Sequence, residues 1–190
     1  MPLIVFDFDK TLTRKDTLYG FYKIIDQENP FFPLKRLVLI IAAMLYKLRF
    51  IDNTQLKKAG IFLFLRNKTL KEAQKKAKTY ASKVQLNNIY SDFYLSTPKE
   101  NRMIISASFE IYLKVIFPQE TTIGSCLRFS DGKISGLEQN MYGKQKAEAL
   151  KKLGIYKINT LYTDSYSDKP LMKMADQVKL INNGQVTTRI

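Results

Sequence analysis

The sequence predicts an α/β protein built on a parallel sheet, because two kinds of segment alternate along the chain. Short apolar segments typical of buried strands, at residues 3–6, 159–163 and 177–181, alternate with longer segments of helical character. Such an alternation is typical of parallel strands that are connected by helices. In an open sheet of this kind the site lies at the carboxyl ends of the strands, so polar residues that directly follow a strand are the first functional candidates.

The segment after the first strand is predicted to be mostly helical, over residues 16–95, and to end at Pro98. Pro30 and Pro33 indicate one helix start, and Asp52 is a typical N-cap for another. The rest of the chain is predicted to contain two helices, a hairpin and a last strand: helices at 109–117 and at 144–153 before Gly154, hairpin strands at 126–129 and 134–137, and a strand after the turn at 182–184.

Length and composition indicate a folded protein of modest size. The 190 residues, 45% of them hydrophobic, suffice for one core and a small second module. The single cysteine, Cys126, excludes an intrachain disulfide and fits a reducing compartment. Met1 stands almost directly before the first strand and leaves no room for a signal peptide, so we expect a cytoplasmic protein.

The charge of the chain is positive and unevenly distributed. The formal net charge is +14, and residues 12–99 hold 17 Lys and Arg against 6 Asp and Glu. Such a basic segment attracts nucleic acid or an anionic membrane surface. No nucleic-acid-binding motif is visible in the sequence, which argues against nucleic acid and leaves an anionic membrane surface as one candidate partner.

Two carboxylates directly follow the first predicted strand. Asp7 and Asp9 are separated only by Phe8, and side chains two positions apart on a strand share a side. Two carboxylates that close repel each other unless a cation or a proton lies between them. The chain has no histidine, and an oxygen-only site suits a hard cation such as Mg²⁺. The alternative is a strand that ends in an ordinary polar loop.

Residues 7–13, Asp-Phe-Asp-Lys-Thr-Leu-Thr, resemble the first motif of the haloacid dehalogenase-like phosphatases. The resemblance implies a Rossmann-like parallel sheet and a Mg²⁺ cofactor. It also implies that Asp7 is the nucleophile, which takes the phosphoryl group as an aspartyl-phosphate, and that Asp9 is the general acid and base. The motif itself, DxDx(T/V), covers residues 7–11. Thr11 is its last position, which implies a contribution to phosphate binding.

The second and third motifs of that family are matched further along the chain. In the segment 102–108, Ser106 would hold a phosphoryl oxygen together with the backbone of Ala107, as the resemblance implies. At the start of the helix predicted at 144–153, Lys146 matches the lysine of the third motif, and Lys144 is the second choice. This lysine would bind the phosphate and neutralise its charge.

The fourth motif follows the strand predicted at residues 159–163. The resemblance implies that Asp164 binds the metal with Asp7 and the backbone carbonyl of Asp9, and that Asp168 supports the metal site. Thr163 stands where the family usually has glycine, which leaves the geometry of this loop open.

The resemblance further implies a catalytic core of residues 1–15 and 98–190, with a helical cap of residues 16–97 inserted between the first strand and the second motif. Such a cap is typical of the phosphoserine phosphatase branch, subfamily IB. Asp16 stands where that branch has a substrate-binding glutamate, and its shorter side chain weakens the match to phosphoserine. Residues 123–147 resemble the bacterial phosphatidylglycerophosphatase C type, which acts on a lipid head group at the cytoplasmic membrane face.

Two apolar runs in the predicted cap allow two interpretations. Residues 37–46 and 61–65 are continuous apolar runs, and the longer one is too short to cross a bilayer. If they form the core of the cap, they should be buried. If they lie in the membrane interface, they should be exposed and ringed by basic side chains. The residues of that predicted ring are Lys35, Arg36, Lys47, Arg49, Lys57 and Lys58.

Three functional hypotheses follow from the sequence. The first is a Mg²⁺-dependent phosphatase for a lipid head group or another anionic phosphate, peripheral on the inner membrane face. The second is a soluble phosphatase for a small metabolite such as phosphoserine or a sugar phosphate. The third is a non-enzymatic basic module that binds a membrane or nucleic acid, and the complete set of four motifs argues against it. The substrate and the oligomeric state stay open.

Overall fold

The computed structural model of the protein describes residues 2–189, which contain one sheet of seven strands. The strands are β1 (Ile4–Phe6), β2 (Arg102–Phe109), β3 (Thr122–Ser130), β4 (Lys133–Gln139), β5 (Ile158–Thr163), β6 (Ala175–Asn182) and β7 (Gln185–Arg189). Their order in the sheet is β4-β3-β2-β1-β5-β6-β7. The five central strands are parallel, and β4 and β7 form antiparallel edges. The predicted Rossmann-like α/β fold is confirmed.

The central strand β1 explains where the site lies. Val5 and Phe6 are fully buried, because both faces of a parallel sheet are covered. Val5 pairs with Met103 of β2 on one side and with Leu161 of β5 on the other. The carboxyl ends of the three strands therefore meet at one edge of the sheet, where Asp7 directly follows β1.

Seven α-helices accompany the sheet within residues 2–189. They are α1 (Leu18–Asp26), α2 (Phe32–Lys47), α3 (Asn53–Gly60), α4 (Leu70–Ala81), α5 (Glu110–Ile116), α6 (Lys144–Lys152) and α7 (Lys169–Met172). The predicted helix starts are confirmed: Pro33 lies in the first turn of α2, and Asp52 caps α3 by accepting a hydrogen bond from the backbone N–H of Gln55 at 2.7 Å.

Two hydrophobic clusters cover the two faces of the sheet. One contains Phe6 together with Phe21 of α1 and Tyr80 of α4. The other contains Val5 and Leu150 of α6. Helices α1 and α4 of the inserted segment thus share a core with the sheet, and residues 16–97 remain our proposed cap.

The two apolar runs have different environments. In Ile61–Leu65, a single π-helical turn, three of the five side chains are fully buried, as expected for a core segment. In contrast, none of the 16 residues of α2, which contains residues 37–46, is buried. Lys57 was predicted on the basic ring of an exposed patch, and this is wrong, because its side chain is buried between α3 and the sheet. Within the described residues, no helix is long and apolar enough to cross a membrane.

Candidate active site

A cleft of about 350 Å³ opens at the carboxyl ends of β1, β2 and β5. Seven of the predicted site residues line it: Asp7, Asp9, Asp16, Ser106, Ala107, Lys146 and Asp164. A larger cavity of about 680 Å³ lies against α1 and α4, but none of the predicted site residues lines it. We therefore take the smaller cleft as the candidate active site.

A buried lysine connects two aspartates at the base of the cleft. The Nζ atom of Lys146 lies 3.0 Å from Oδ1 of Asp7 and 2.9 Å from Oδ2 of Asp168. Burial alone lowers the pKa of Lys146, but the two carboxylates outweigh it and raise the pKa, so this lysine is charged. Lys144, the second choice for this position, is exposed to solvent. Lys146 reaches Asp7 because it lies in the first turn of α6.

Negative charge exceeds positive charge around Asp7. Burial raises the pKa of Asp7 to about 8; Lys146 opposes this shift, and Asp168 and Asp164 add to it. The pKa of Asp164 is also raised, mainly by burial, with Lys10 and Lys146 acting against the shift. A divalent cation would relieve this repulsion and restore the ionised form of Asp7.

The oxygen atoms at the cleft fit such a cation. Oδ1 of Asp7 accepts a hydrogen bond from the backbone N–H of Phe8 at 2.8 Å and forms an ion pair with Lys146, while no group within residues 2–189 donates a hydrogen bond to Oδ2. Oδ1 of Asp168 is buried and has no partner there either. Within that range, no three acidic, histidine or cysteine side chains form a metal-binding cluster. A metal here would thus take two carboxylates, from Asp7 and Asp164, and complete its shell with backbone carbonyls and water.

The carboxylate of Asp9 is held by hydrogen bonds from Thr17 and Ser108. Oδ1 accepts from the backbone N–H of Thr17 at 2.8 Å and from its hydroxyl at 2.6 Å, and Oδ2 accepts from Ser108. The hydroxyl of Tyr112 donates to that of Ser108 at 2.6 Å. Burial and the charge of Asp16 raise the pKa of Asp9 to about 6, although these hydrogen bonds act against the shift.

The segment around Ser106 is irregular. Pairing between β2 and β3 shifts between Ile105 and Phe109, so β2 does not end at Ser106 but continues through a bulge. The hydroxyl of Ser106 accepts from the backbone N–H of Ser108 at 3.0 Å, and this side chain is fully buried. The bulge turns the carbonyl of Ala107 away from the ladder and towards side chains of other elements.

Lys57 of α3 reaches this bulge from the inserted segment. Its Nζ atom donates to the carbonyl of Ala107 at 2.6 Å, to the hydroxyl of Ser125 at 3.0 Å and to the side-chain carbonyl of Asn140. The amide of Asn140 in turn donates to the side chain of Asn53 at the start of α3, at 3.1 Å. These contacts connect the inserted helix with β2, β3 and the end of β4.

Thr11, Asp16 and Thr163 were also singled out in the sequence, and their environments differ from one another. The hydroxyl of Thr11 is buried without a partner in the described residues, and Thr11 does not line the cleft, because its loop turns back onto the interior. Asp16 is exposed at the cleft wall and accepts from the backbone N–H of Leu18 at 3.0 Å. Thr163, in the place of glycine, donates to Oδ2 of Asp168 at 2.8 Å and so helps to hold the loop.

Sequence reasoning missed the network behind Asp9 and the contacts of Lys57. The sequence does contain a signal for the contacts of Lys57, because Asn53, Lys57 and Gly60 share one face of α3 at a spacing of four and three residues. Gly60 allows the ring of Tyr22 to approach, since a Cβ atom there would lie 2.5 Å from it. A polar and small face of this kind indicates contact with another element.

The fold and the cleft define a Rossmann-like α/β enzyme with a carboxylate-rich site at its strand ends. The chain belongs to the haloacid dehalogenase-like hydrolases, whose family model matches residues 4–173. The predicted family is thereby confirmed. A comparison with curated protein sequences gives no match.

Solved structures of low sequence identity share the fold. A protein of unknown function from Bordetella pertussis Tohama I is 15% identical, with a TM-score of 0.75 over 94% of this chain and 88% of that one. A phosphoserine phosphohydrolase-like protein from Francisella tularensis is 18% identical, with a TM-score of 0.66 over 95% and 87%. A phospho-aspartyl intermediate analogue of phosphoserine phosphatase is 19% identical, with a TM-score of 0.60 over 94% and 85%.

Proposed function

We propose that the protein is a Mg²⁺-dependent phosphatase that hydrolyses a phosphomonoester through an aspartyl-phosphate on Asp7. The observation that carries the proposal is the buried arrangement of Asp7, Lys146 and Asp168 at the base of the cleft. Membership of the haloacid dehalogenase-like hydrolases supports it, as does the fold shared with phosphoserine phosphatase.

Asp7 is the proposed nucleophile because one of its carboxylate oxygens accepts no hydrogen bond from residues 2–189. Lys146 and the N–H of Phe8 hold Oδ1, which fixes the carboxylate and leaves Oδ2 towards the substrate. Oδ2 attacks phosphorus, the bond from phosphorus to the leaving oxygen breaks, and the phosphoryl group is carried by Asp7. Lys146 and the hydroxyl of Ser106 stabilise the negative charge on the transferred group.

Mg²⁺ would be held by Asp7, the carbonyl of Asp9 and Asp164, and it would neutralise the repulsion between the nucleophile and the phosphate. Asp168 keeps Lys146 in position at 2.9 Å. The unpartnered Oδ1 of Asp168 is suited to accept a hydrogen bond from a water molecule near the metal.

Asp9 is the proposed general acid and base. Its pKa of about 6, above the ordinary value for an aspartate, keeps part of the population protonated near neutral pH, so that it can protonate the leaving alcohol. The resulting carboxylate then takes a proton from the water that attacks phosphorus of the aspartyl-phosphate. This second step releases inorganic phosphate and returns Asp9 to its protonated form.

The proposed substrate is a phosphomonoester on a lipid head group, handled by a peripheral enzyme on the cytoplasmic face of the membrane. The strongly basic segment of residues 12–99 supports this class, because it favours an anionic surface. A small soluble metabolite is the second candidate. Asp16 supports it, since an exposed carboxylate at the cleft wall is suited to bind an amine of the substrate.

Turnover of p-nitrophenyl phosphate in the presence of Mg²⁺ tests the proposed chemistry. We expect the Asp7→Asn variant to be inactive, because the amide keeps the shape of the side chain but is not a nucleophile. Asp131→Asn, in the exposed turn between β3 and β4, is the matched control and should be as active as the wild type.

Acid quenching during turnover of a ³²P-labelled substrate should leave label on the wild type and none on Asp7→Asn. A labelled Asp7→Asn protein would contradict the assigned nucleophile.

A further inference from the structure

Helix α2 presents an apolar face to solvent. Phe32, Leu39 and Tyr46 recur at a helical spacing of seven residues and are half-buried, so they define its inner face. Phe32 and Leu39 pack against the hydrophobic core. The outer face has no charged residue between Arg36 and Lys47. Ten large apolar side chains on this helix and its flanks are 39% to 74% exposed: Phe31, Leu34, Leu37, Val38, Ile40, Ile41, Met44, Leu45, Leu48 and Phe50. We call these ten residues the α2 face.

The α2 face is exceptional within the molecule. It contains ten of the eighteen large apolar residues that are exposed in the described part of the chain, although it covers only residues 31–50. Scattered exposed apolar residues are normal, but a contiguous set of this size marks a surface that binds something. The neighbouring apolar run, Ile61–Leu65, is largely buried. The exposure of α2 is therefore a property of this helix and not of the inserted segment as a whole.

Basic side chains surround the α2 face, and acidic ones are missing from it. Residues 29–51 contain no Asp or Glu. Lys35 is paired with Asp26 at 2.7 Å, whereas Arg36, Lys47 and Arg49 are exposed and have no salt bridge within residues 2–189. A set of exposed positive charges at the edge of an apolar helical face matches the head groups and the acyl region of an anionic membrane.

The position of the helix connects this face with the candidate active site. Tyr46, near the end of α2, lines the cleft, and its hydroxyl lies 3.4 Å from that of Tyr142 on the opposite wall. A membrane that covers the α2 face would therefore lie beside the mouth of the cleft. A phosphate on a lipid head group would then be presented beside the cleft that Asp7 lines.

We propose that the α2 face docks on anionic membranes as an interfacial helix that lies in the plane of the bilayer surface. A second copy of the chain is less suited as the occupant, because it would bring two basic edges together, in a protein of net charge +14. The proposal deepens the proposed function by naming the surface on which the substrate is met. Docking itself requires no catalysis, so it can be tested on an inactive chain.

The test is co-sedimentation of the full-length Asp7→Asn protein with vesicles of phosphatidylcholine and phosphatidylserine, and with vesicles of phosphatidylcholine alone. We expect binding to the anionic vesicles at low salt and a large loss at high salt, because salt screens charges over about 10 Å at 0.1 M. Replacement of Arg36 and Lys47 by Gln should weaken binding about fivefold for each charge. Equal binding to both vesicle types, or no binding at low salt, would overturn the proposal.

The role of the apolar face is tested by the triple variant L37Q/I41Q/M44Q, with L153Q/Y156Q as the matched control. All five side chains are at least half exposed, so the substitutions should leave the fold intact, as circular dichroism would check. The triple variant should lose binding to anionic vesicles, and the control should bind as the parent does. If the triple variant binds unchanged, or if light scattering shows a dimer that this variant dissociates, the α2 face is not a membrane surface.

Discussion

The side-chain amine of Lys57 donates a hydrogen bond to the backbone carbonyl of Ala107 at 2.6 Å. This contact connects the inserted helix α3 with the bulge of β2 that holds Ser106. The amine is buried, and its other two acceptors are the neutral groups of Ser125 and Asn140, so no carboxylate within residues 2–189 contacts it. Burial lowers the pKa of Lys57 to about 7, although the charges of two aspartates at the cleft oppose this shift.

The first prediction concerns stability as a function of pH. The pKa of Lys57 is about 7 in the folded protein against an ordinary value of 10.5, so between these values the unfolded chain binds the proton more strongly. The free energy of unfolding of the wild type should therefore rise with pH from about 7 to about 10. Below about pH 7 the folded protein carries the buried charge, and this charge lowers the free energy of unfolding by its full amount. Lys57→Met should lose this rise, as urea unfolding at several pH values would show.

Lys58→Met is the matched control for this prediction. Lys58 is the next residue on α3 and is exposed, so its replacement should leave the pH dependence of stability unchanged. Identical pH dependence in the wild type and in both variants would mean that Lys57 is not responsible for it.

The second prediction concerns the lysine that contacts the proposed nucleophile. Lys146→Met should lower kcat on p-nitrophenyl phosphate by about 100- to 1,000-fold, the usual loss when one preorganised group that stabilises the transition state is removed. Lys144→Met, two residues earlier on the same helix, removes an exposed side chain and should leave kcat unchanged. Steady-state kinetics with Mg²⁺ would check both. The opposite ranking of the two variants would assign the role to Lys144.

The candidate site residues that the structure brings together are marked by local patterns in the sequence. Asp7 follows β1, Ser106 lies at the bulge in the second half of β2, and Lys146 lies in the first turn of α6. In a parallel sheet these three places converge on one edge, so recognising the strands and one helix start was enough to bring the residues together.

The parts that the sequence did not predict depend on contacts between distant segments. Lys57 meets Asn140 across 83 positions of the chain, and Asp9 meets Ser108 across 99, which no local pattern records. The two apolar runs also look alike in sequence. Only packing distinguishes them: Phe64 of Ile61–Leu65 lies against Tyr22 and Phe32, whereas within residues 2–189 no residue of α2 is buried.

The third prediction concerns the pH dependence of catalysis. Hydrogen bonds from Ser108 and Thr17 stabilise the ionised form of Asp9, so they hold its pKa below the value that burial alone would produce. As the general acid must be protonated, kcat/KM should fall as the pH rises above about 6. Ser108→Ala removes one of these bonds and should move this descending limb to higher pH by about one unit, because such a bond is worth about 1.5 kcal/mol or more.

Ser130→Ala, at the exposed end of β3, is the control for the third prediction, and its pH profile should match that of the wild type. A limb that moves to lower pH in Ser108→Ala, or that stays in place, would contradict the assignment of Asp9 as the group that titrates.

The last prediction separates the two aspartates of the fourth motif. The carboxylate of Asp164 lines the cleft, whereas that of Asp168 is fully buried and holds Lys146 and Thr163. Asp164→Asn should raise the Mg²⁺ concentration that gives half-maximal activity by about tenfold or more, and excess metal should restore part of the rate. Asp168→Asn should instead lower the midpoint of thermal unfolding and kcat, with little rescue by metal, because it removes a partner of a buried lysine.

Activity titrations with Mg²⁺ and thermal unfolding would separate the effects of Asp164→Asn and Asp168→Asn. Full activity of the wild type in excess EDTA, or equal rescue of both variants by Mg²⁺, would contradict the metal site proposed at Asp7 and Asp164.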